Sequence, residues 1–406
     1  MGEGHSLSIN ATSSESRKCA ICGFETLENF LLLKNMPTLV GAVWHVRDKA
    51  LNAICGDLTL SICRNCGYIC NTAWRPELID FAPGYEISLH HSAVYRHFLE
   101  STASDLIDRY NLKGKRIVEI GCGPGYFLDL ICCLGENDGF GFDPTLECDR
   151  TDRFENHTVQ FMRGYYDAAS SHLRPDFICC RHVLQSVPDP RAFLQSILTV
   201  LGPDADTPCY FELPNASYVF NPNIHWDMMF EYLSFFTPNS LAVAFDLSGY
   251  NVTKSRACYE QGQYQMLEAR PEKRHKKSVH IDRDKTEQLL TEIRSFGRLF
   301  DRRLAWWRES LAGYRTTGKK LLGWGAGGRA VTFLCALDVR EQIPYVVDIN
   351  PNRHDAYLPR TGQRIVPPAF VKEYRPDIVV VTNPTYLDEI KSEVSSMGLT
   401  CEFVSI

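Results

Sequence analysis

The sequence predicts an α/β chain, with a doubly wound, largely parallel sheet at its centre. A small cysteine-rich domain precedes it and a second sheet of similar construction follows. Three observations carry this. Residues 116–120 read Arg-Ile-Val-Glu-Ile and run into glycines at Gly121, Gly123 and Gly125; helical character begins near Tyr126, and a second apolar stretch ends on Asp143. A comparable strand-turn-helix unit starts at Lys320 with Leu-Leu-Gly-Trp-Gly-Ala-Gly-Gly-Arg, and its next strand ends at Asp348. Near the N-terminus, Cys19-Ala-Ile-Cys22-Gly and Cys63-Arg-Asn-Cys66-Gly form two C-x-x-C-G knuckles. A chain of 406 residues has room for two or three domains.

Residues 1–16 are polar and read as a disordered tail. Residues 17–80, with few helical periods, hold both knuckles and read as a zinc-binding domain. Residues 81–283 alternate strand-like and helix-like stretches, with strands expected at 116–120, 139–142, 159–163, 176–180 and 209–213. Asp189-Pro190 opens a helix over 191–201, which Gly202-Pro203 ends. From 284 to 315 Leu289, Leu290, Ile293, Phe296, Leu299, Phe300, Leu304 and Trp307 recur at helical spacing, predicting one long connecting helix. Residues 316–406 form the second unit, with strands at 343–347 and 378–381.

A glycine turn between a strand and a helix lets the backbone approach a ligand, and an acid some twenty residues on can hold a ribose diol. Dinucleotide-binding folds share this layout, so an NAD-dependent oxidoreductase is an alternative. Here the third glycine comes early (G-x-G-x-G), and Glu119 stands two residues before the first. That version resembles motif I of the class I S-adenosylmethionine methyltransferases. The resemblance implies a cofactor site of Glu119, Gly121, Gly123, Gly125, Tyr126 and Asp143.

Four thiolates in two knuckles forty residues apart suit tetrahedral zinc, so Cys19, Cys22, Cys63 and Cys66 are the expected ligands. A closed all-thiolate set leaves no open position and so marks a structural site. Cys55 and Cys70 are spare thiols nearby.

The knuckles, motif I and the second Rossmann-like unit together resemble the sugar C-methyltransferases. That family methylates a carbon next to the ketone of nucleotide-linked keto-deoxysugars. Pro83-Gly84-Tyr85-Glu86 leading to Ser88-Leu89-His90-His91-Ser92, Phe211-Glu212-Leu213-Pro214-Asn215, and Asn350-Pro351-Asn352-Arg353 with Tyr357-Leu358-Pro359 support it. In the last segment Asp355 stands where the family has glycine. The family's Glu-His before Leu-Ser-Tyr-Phe-Thr is the supposed base. This chain reads Met229-Phe230-Glu231-Tyr232-Leu233-Ser234-Phe235-Phe236-Thr237, so the glutamate remains and Tyr232 replaces the His. A carbon acceptor needs a base, for which His or a carboxylate is better suited than Tyr. The candidates for catalysis are Glu231, favoured because it holds the family position, Tyr232 in place of the His, His182, His225, His90, His91 and Tyr85. Trp226, Phe230, Tyr232, Phe235 and Phe236 read as core. The glycines at 323, 325, 327 and 328 could cradle a nucleotide.

A net charge of −6 gives no global attraction to nucleic acid or anionic membrane; the one basic run, 270–277, reads as a solvated loop. No apolar run reaches membrane-spanning length, and no signal-peptide core precedes residue 16. The expectation is a cytoplasmic enzyme with reduced thiols and a small-molecule substrate, nucleotide-linked if the resemblance extends that far. The same residues are also compatible with an O- or N-methyltransferase, or with a catalytically inactive binding protein that keeps the fold.

Overall fold

In the N-terminal region Leu58, Leu60 and Ile62 alternate with Thr59 and Ser61 along one strand of a small sheet. The computed structural model describes residues 17–79, 85, 89–221, 223, 226–272 and 281–406. The 1–16 tail, Pro83, Gly84, Glu86, Ser88, His225 and the basic positions 273–277 lie outside the described residues. In this region β1 (Leu27–Pro37), β2 (Cys55–Cys63) and β3 (Ile69–Asn71) pair antiparallel in that order. A tight turn joins β2 to β3: Gly67 N–H donates to Cys63 O over 2.9 Å, and Cys63 N–H to Tyr68 O over 2.8 Å.

The central sheet is built from β4 (Arg116–Ile120), β5 (Asp138–Phe142), β6 (Arg150–Arg153), β7 (Thr158–Met162), β8 (Phe177–Arg181) and β9 (Cys209–Pro214). After β9 the chain returns to the N-terminal sheet, where β10 (Ser234–Phe235) pairs antiparallel with β3 as a fourth strand. Strands β11 (Tyr250–Cys258) and β12 (Tyr264–Pro271) then complete the central sheet, in the order β11-β12-β9-β8-β4-β5-β7-β6. Pairs among β4, β5, β7, β8 and β9 are parallel, whereas β12 runs antiparallel to β9. This is the class I methyltransferase arrangement of a doubly wound sheet with a reversed strand near one edge. Strand β8 is buried throughout, and β4 beyond Arg116, as apolar strands covered on both faces must be. The order reverses beside β4, so the carboxyl ends of β4 and β8 frame the crevice where such sheets bind ligands.

Local signals place the helices. The helix Tyr126–Gly135 starts directly after Gly125, whose φ is 102°. The helix Pro190–Leu201 is capped by the Asp189 side chain, which accepts from Ala192 N–H, with proline in its first turn. The long helix Arg283–Thr316 is capped by Asp282, and buries Leu289, Leu290, Ile293, Phe296, Phe300, Leu304, Trp307 and Leu311 on one face. Those side chains join one core with Phe30, Leu31, Phe220, Trp226, Phe230 and the C-terminal unit's Phe333 and Leu334. Each large side chain fully buried there contributes about 1.5–3 kcal/mol.

In the C-terminal unit β13 (Leu321–Trp324), β14 (Tyr345–Val347), β15 (Arg364–Val366), β16 (Ile378–Val381) and β17 (Glu402–Ser405) form an all-parallel sheet in the order β15-β14-β13-β16-β17. Asp355, the residue in place of the family glycine, has φ 63°, a conformation glycine enters more easily. No helix among the described residues is long and apolar enough to cross a membrane.

Candidate functional site

The glycine turn after β4 forms a cradle. Gly121, Gly123 and Gly125 have φ of 72°, 53° and 102°. A Cβ on Gly121 would lie 2.1 Å from Val183 Cγ2, and one on Gly125 2.1 Å from Phe161 Cε1, so these two glycines serve internal packing. A Cβ on Gly123 would meet nothing within 4 Å, which marks the open face of the turn. Asp143 follows β5 and closes the turn: its Oδ2 accepts from Gly123 N–H at 2.8 Å, and its Oδ1 accepts from Thr145 N–H and Oγ1 at 2.8 and 2.6 Å. Glu119 lies behind it, 2% exposed, with Oε2 buried and unpartnered. Burial pushes its carboxyl up to about 8, with Arg181 opposing and Asp143 and Glu212 adding to the rise. An open cradle, an unpartnered buried oxygen and a strand-end acid fit the amino-acid and ribose parts of S-adenosylmethionine. Tyr126 stacks on His90, with ring centroids 4.6 Å apart.

The carboxyl ends of β8 and β9 hold a second group. His182 follows β8 with φ 54°, a left-handed conformation costing about 1–3 kcal/mol in a non-glycine residue. Its Nε2 lies 3.2 Å from Glu212 Oε1, and its backbone N–H donates to Glu212 O at 2.7 Å. Glu212 also accepts from Arg181 Nη2 at 2.8 Å and from Tyr210 Oη at 2.7 Å. Burial opposes its ionisation, but Arg181 and the hydrogen bond from His182 outweigh it and hold the carboxyl at about 2. An ionised Glu212 is an acceptor for an Nε2–H, and the tautomer that makes this bond leaves Nδ1 with its lone pair free. The ring packs edge-to-face on Tyr264 at 4.5 Å.

Glu231, Tyr232 and Tyr85 come together at a third place, between the N-terminal sheet and the C-terminal unit. Glu231 Oε1 accepts from Tyr85 Oη and its Oε2 from Val40 N–H at 2.8 Å. Burial lifts Glu231 to about 7, while Tyr85, Val40 and Arg353 pull against the rise. Burial also pushes the phenols of Tyr85 and Tyr232 well above 10. A phenol held that high is no base near neutral pH. His91 Nε2 is buried without a partner, and Trp226, Phe230, Phe235 and Phe236 are buried in the core.

Several groups beside these clusters were not among the site candidates read from the sequence, although Arg329 closes the second glycine segment and Glu212 lies in Phe211–Asn215. Arg329, 5% exposed at the start of the helix Gly328–Leu337, reaches Asn383 Oδ1 at 2.8 Å and Asp227 Oδ2 at 3.4 Å. Burial raises the phenols of Tyr232 and Tyr264, and the charge of Asp227 adds to both. Tyr259 Oη and Tyr386 Oη, from the two large domains, are 2.6 Å apart. Glu212 carried one legible signal, a charge inside a fully buried apolar strand. The meeting of Arg329 and Asp227 carried none, since it joins residues 102 apart in sequence. In the C-terminal turn Gly327 is open as Gly123 is, whereas a Cβ on Gly328 would lie 2.1 Å from Met229 Cε. Asp348 Oδ2 accepts from Ala326 N–H at 2.9 Å, the counterpart of the Asp143 contact.

The four knuckle sulfurs lie within 4.8 Å of one another, with Cys19–Cys66 at 3.7 Å and Cys22–Cys63 at 3.6 Å. Four thiolates about 2.3 Å from a tetrahedral zinc sit about 3.8 Å apart, so the donor set matches that ion. Asn65 Nδ2 adds a contact to Cys22 Sγ at 3.5 Å. All sixteen cysteines are free of disulfides.

Residues 95–255 match the family model described as a methyltransferase domain, and residues 264–404 match that of a C-methyltransferase C-terminal domain. These matches assign a methyltransferase domain to the first stretch and a C-methyltransferase C-terminal domain to the second. A curated relative, the tRNA U34 carboxymethyltransferase of Campylobacter curvus (strain 525.92), is 26% identical over 106 residues, covering 25% of this chain and 36% of that protein. The chain thus matches about a third of that relative's length. Among solved structures, magnesium protoporphyrin IX methyltransferase from Synechocystis PCC 6803 is 15% identical, covering 44% of this chain and 80% of the other, with a TM-score of 0.31. The 1,6-didemethyltoxoflavin-N1-methyltransferase of Burkholderia thailandensis is 14% identical, covering 44% and 81%, with a TM-score of 0.32. Likenesses this low add nothing to the assignment.

Proposed function

We propose that this chain transfers a methyl group from S-adenosylmethionine to a carbon atom of a small-molecule acceptor, with His182 as the base. The His182–Glu212 pair carries the reading. It has a base, a buried carboxylate that fixes the tautomer, and a place at the strand ends beside the glycine turn. Glu119, the Gly121–Gly125 turn, Tyr126 and Asp143 would hold the cofactor, which supplies an electrophilic methyl on a sulfonium. A carbon acceptor must lose a proton from the position alpha to a carbonyl. His182 Nδ1 takes that proton, and the imidazolium formed is stabilised by Glu212. Glu231, buried and accepting from Tyr85 and Val40, holds the Tyr85 hydroxyl in place rather than acting as base. The C-methyltransferase C-terminal domain supports a carbon acceptor, and the resemblance to the sugar C-methyltransferases points to a nucleotide-linked keto-deoxysugar. Cys19, Cys22, Cys63 and Cys66 would hold one structural zinc.

The test has two parts. Methyl-labelled S-adenosylmethionine is incubated with candidate keto sugars, and the label is located by mass spectrometry. Separately, the acceptor is held with enzyme in D2O without cofactor. Exchange of the alpha proton, lost in His182→Asn, is expected; methylation on oxygen or nitrogen with no exchange would overturn the reading. That second reading is favoured by Tyr232, since an acceptor with its own lone pair asks less of a base.

A further inference from the structure

We propose that the zinc hairpin is a positioning element for residues 226–237, so that metal binding at the four cysteines sets the place of the buried Glu231 against Tyr85 and Val40. This rests on the zinc reading above. The segment is gripped from two sides. On the N-terminal side, β10 is only two residues long and lies against β3, with Ser234 opposite Cys70 and Phe235 opposite Ile69. Asn71 N–H donates to Leu233 O at 2.9 Å. Tyr68, next to the Cys66-Gly67 knuckle, lies with its hydroxyl 2.7 Å from Ser234 Oγ, both side chains buried, and its ring packs on Phe236 at 5.2 Å. Phe230 lies against Gly56 of β2, where a Cβ would come within 2.4 Å of the ring, and Val40 N–H meets Glu231. On the other side, Thr332 Oγ1 donates to Met228 O at 2.9 Å, and Met229 fills the space above Gly328.

A two-residue strand does not hold its own register, and a one-residue slip turns every side chain to the opposite face. What fixes the register is the hairpin, whose turn is closed by Cys63 and Gly67 and whose cysteines need the metal to stay together. Glu231 is two residues from the first ladder contact. Displacing β10 therefore moves the carboxylate from Tyr85 and Val40.

Hydrogen exchange with mass spectrometry reads this directly. The full chain is compared as purified with zinc, after chelation, and as the Tyr68→Phe and Gly56→Ala variants. On chelation, peptides covering 229–237 and 69–71 should exchange at least about tenfold faster, while β4, β5 and β8 keep their protection and S-adenosylmethionine affinity is retained. Tyr68→Phe and Gly56→Ala should keep one zinc per chain and show a smaller gain confined to 229–237. Unchanged protection of 229–237 after zinc removal overturns the proposal. If chelation unfolds the whole chain, the two variants decide: zinc-loaded protein with unaltered protection in both overturns it. Freshly purified protein with no zinc overturns the metal reading and the coupling with it, even if 229–237 is protected.

Discussion

Nε2 of His182 stands 3.2 Å from Oε1 of Glu212, just beyond the paired ends of β8 and β9. The register of two parallel strands thus sets an imidazole against a buried carboxylate. His182→Asn should lower methyl transfer by about a hundredfold to ten-thousandfold with S-adenosylmethionine affinity unchanged. Glu212→Gln should cost activity too, because an amide can present its NH2 to Nε2 and shift the ring's proton to Nδ1. Single-turnover methyl transfer checks both. Full activity in both variants would remove the pair from the mechanism.

Gly123→Val should abolish cofactor binding. The position is open to the cleft, and its φ of 53° is poor for a branched side chain. Calorimetry with S-adenosylmethionine is the check. Gly121→Ala and Gly125→Ala differ in kind, since their Cβ atoms would strike Val183 and Phe161, so those variants should lose thermal stability as well as affinity.

One zinc per chain is expected by elemental analysis. Cys63→Ser should lose it and lower the melting temperature, because a broken four-thiolate set gives up metal-binding energy that is also folding energy.

Glu119 gives the unliganded protein a pH dependence. Its folded pKa of about 8 is above the ordinary 4.5, so the native state keeps a proton that the unfolded chain releases. Stability from this group is complete below pH 4.5, falls as pH rises, and is lost above 8. Glu119→Gln removes that slope and should stabilise the cofactor-free chain by about 4 kcal/mol near pH 7.5. Melting curves from pH 5 to 8.5 read the difference; identical slopes would show that Glu119 is ionised in the native state.

Glu212 has the opposite sign. Its folded pKa of about 2 lies below the ordinary 4.5, so its contribution is present above 4.5 and is lost as pH falls toward 2. The wild type should show a steeper loss of stability between pH 4.5 and 2 than Glu212→Gln does.

Local chemistry made much of this legible in the sequence. The strand Arg116–Ile120 was readable from Ile117, Val118 and Ile120 running into a glycine turn, the helix Arg283–Thr316 from its 3.6-residue period, and the glycine turn and knuckles from spacing alone. These patterns are short-range, and burial on both faces or one stripe leaves a direct mark on composition. The two-residue β10 was not legible, because Ser234–Phe235 has no pattern of its own and is a strand only because β3 lies beside it.

By itself the sequence determined the fold class and its local signatures: an α/β chain with a glycine turn followed by Asp143, four paired cysteines, and Tyr232 beside Glu231. Only the tertiary structure decided which candidates stand together. It paired His182 with Glu212, closed both oxygens of Glu231 with Tyr85 and Val40, and laid Phe230 and Met229 against glycines of two different domains. The physical reason is that spacing encodes the periods of single helices and strands, whereas pairs 30, 146 and 191 residues apart are made by packing and strand order.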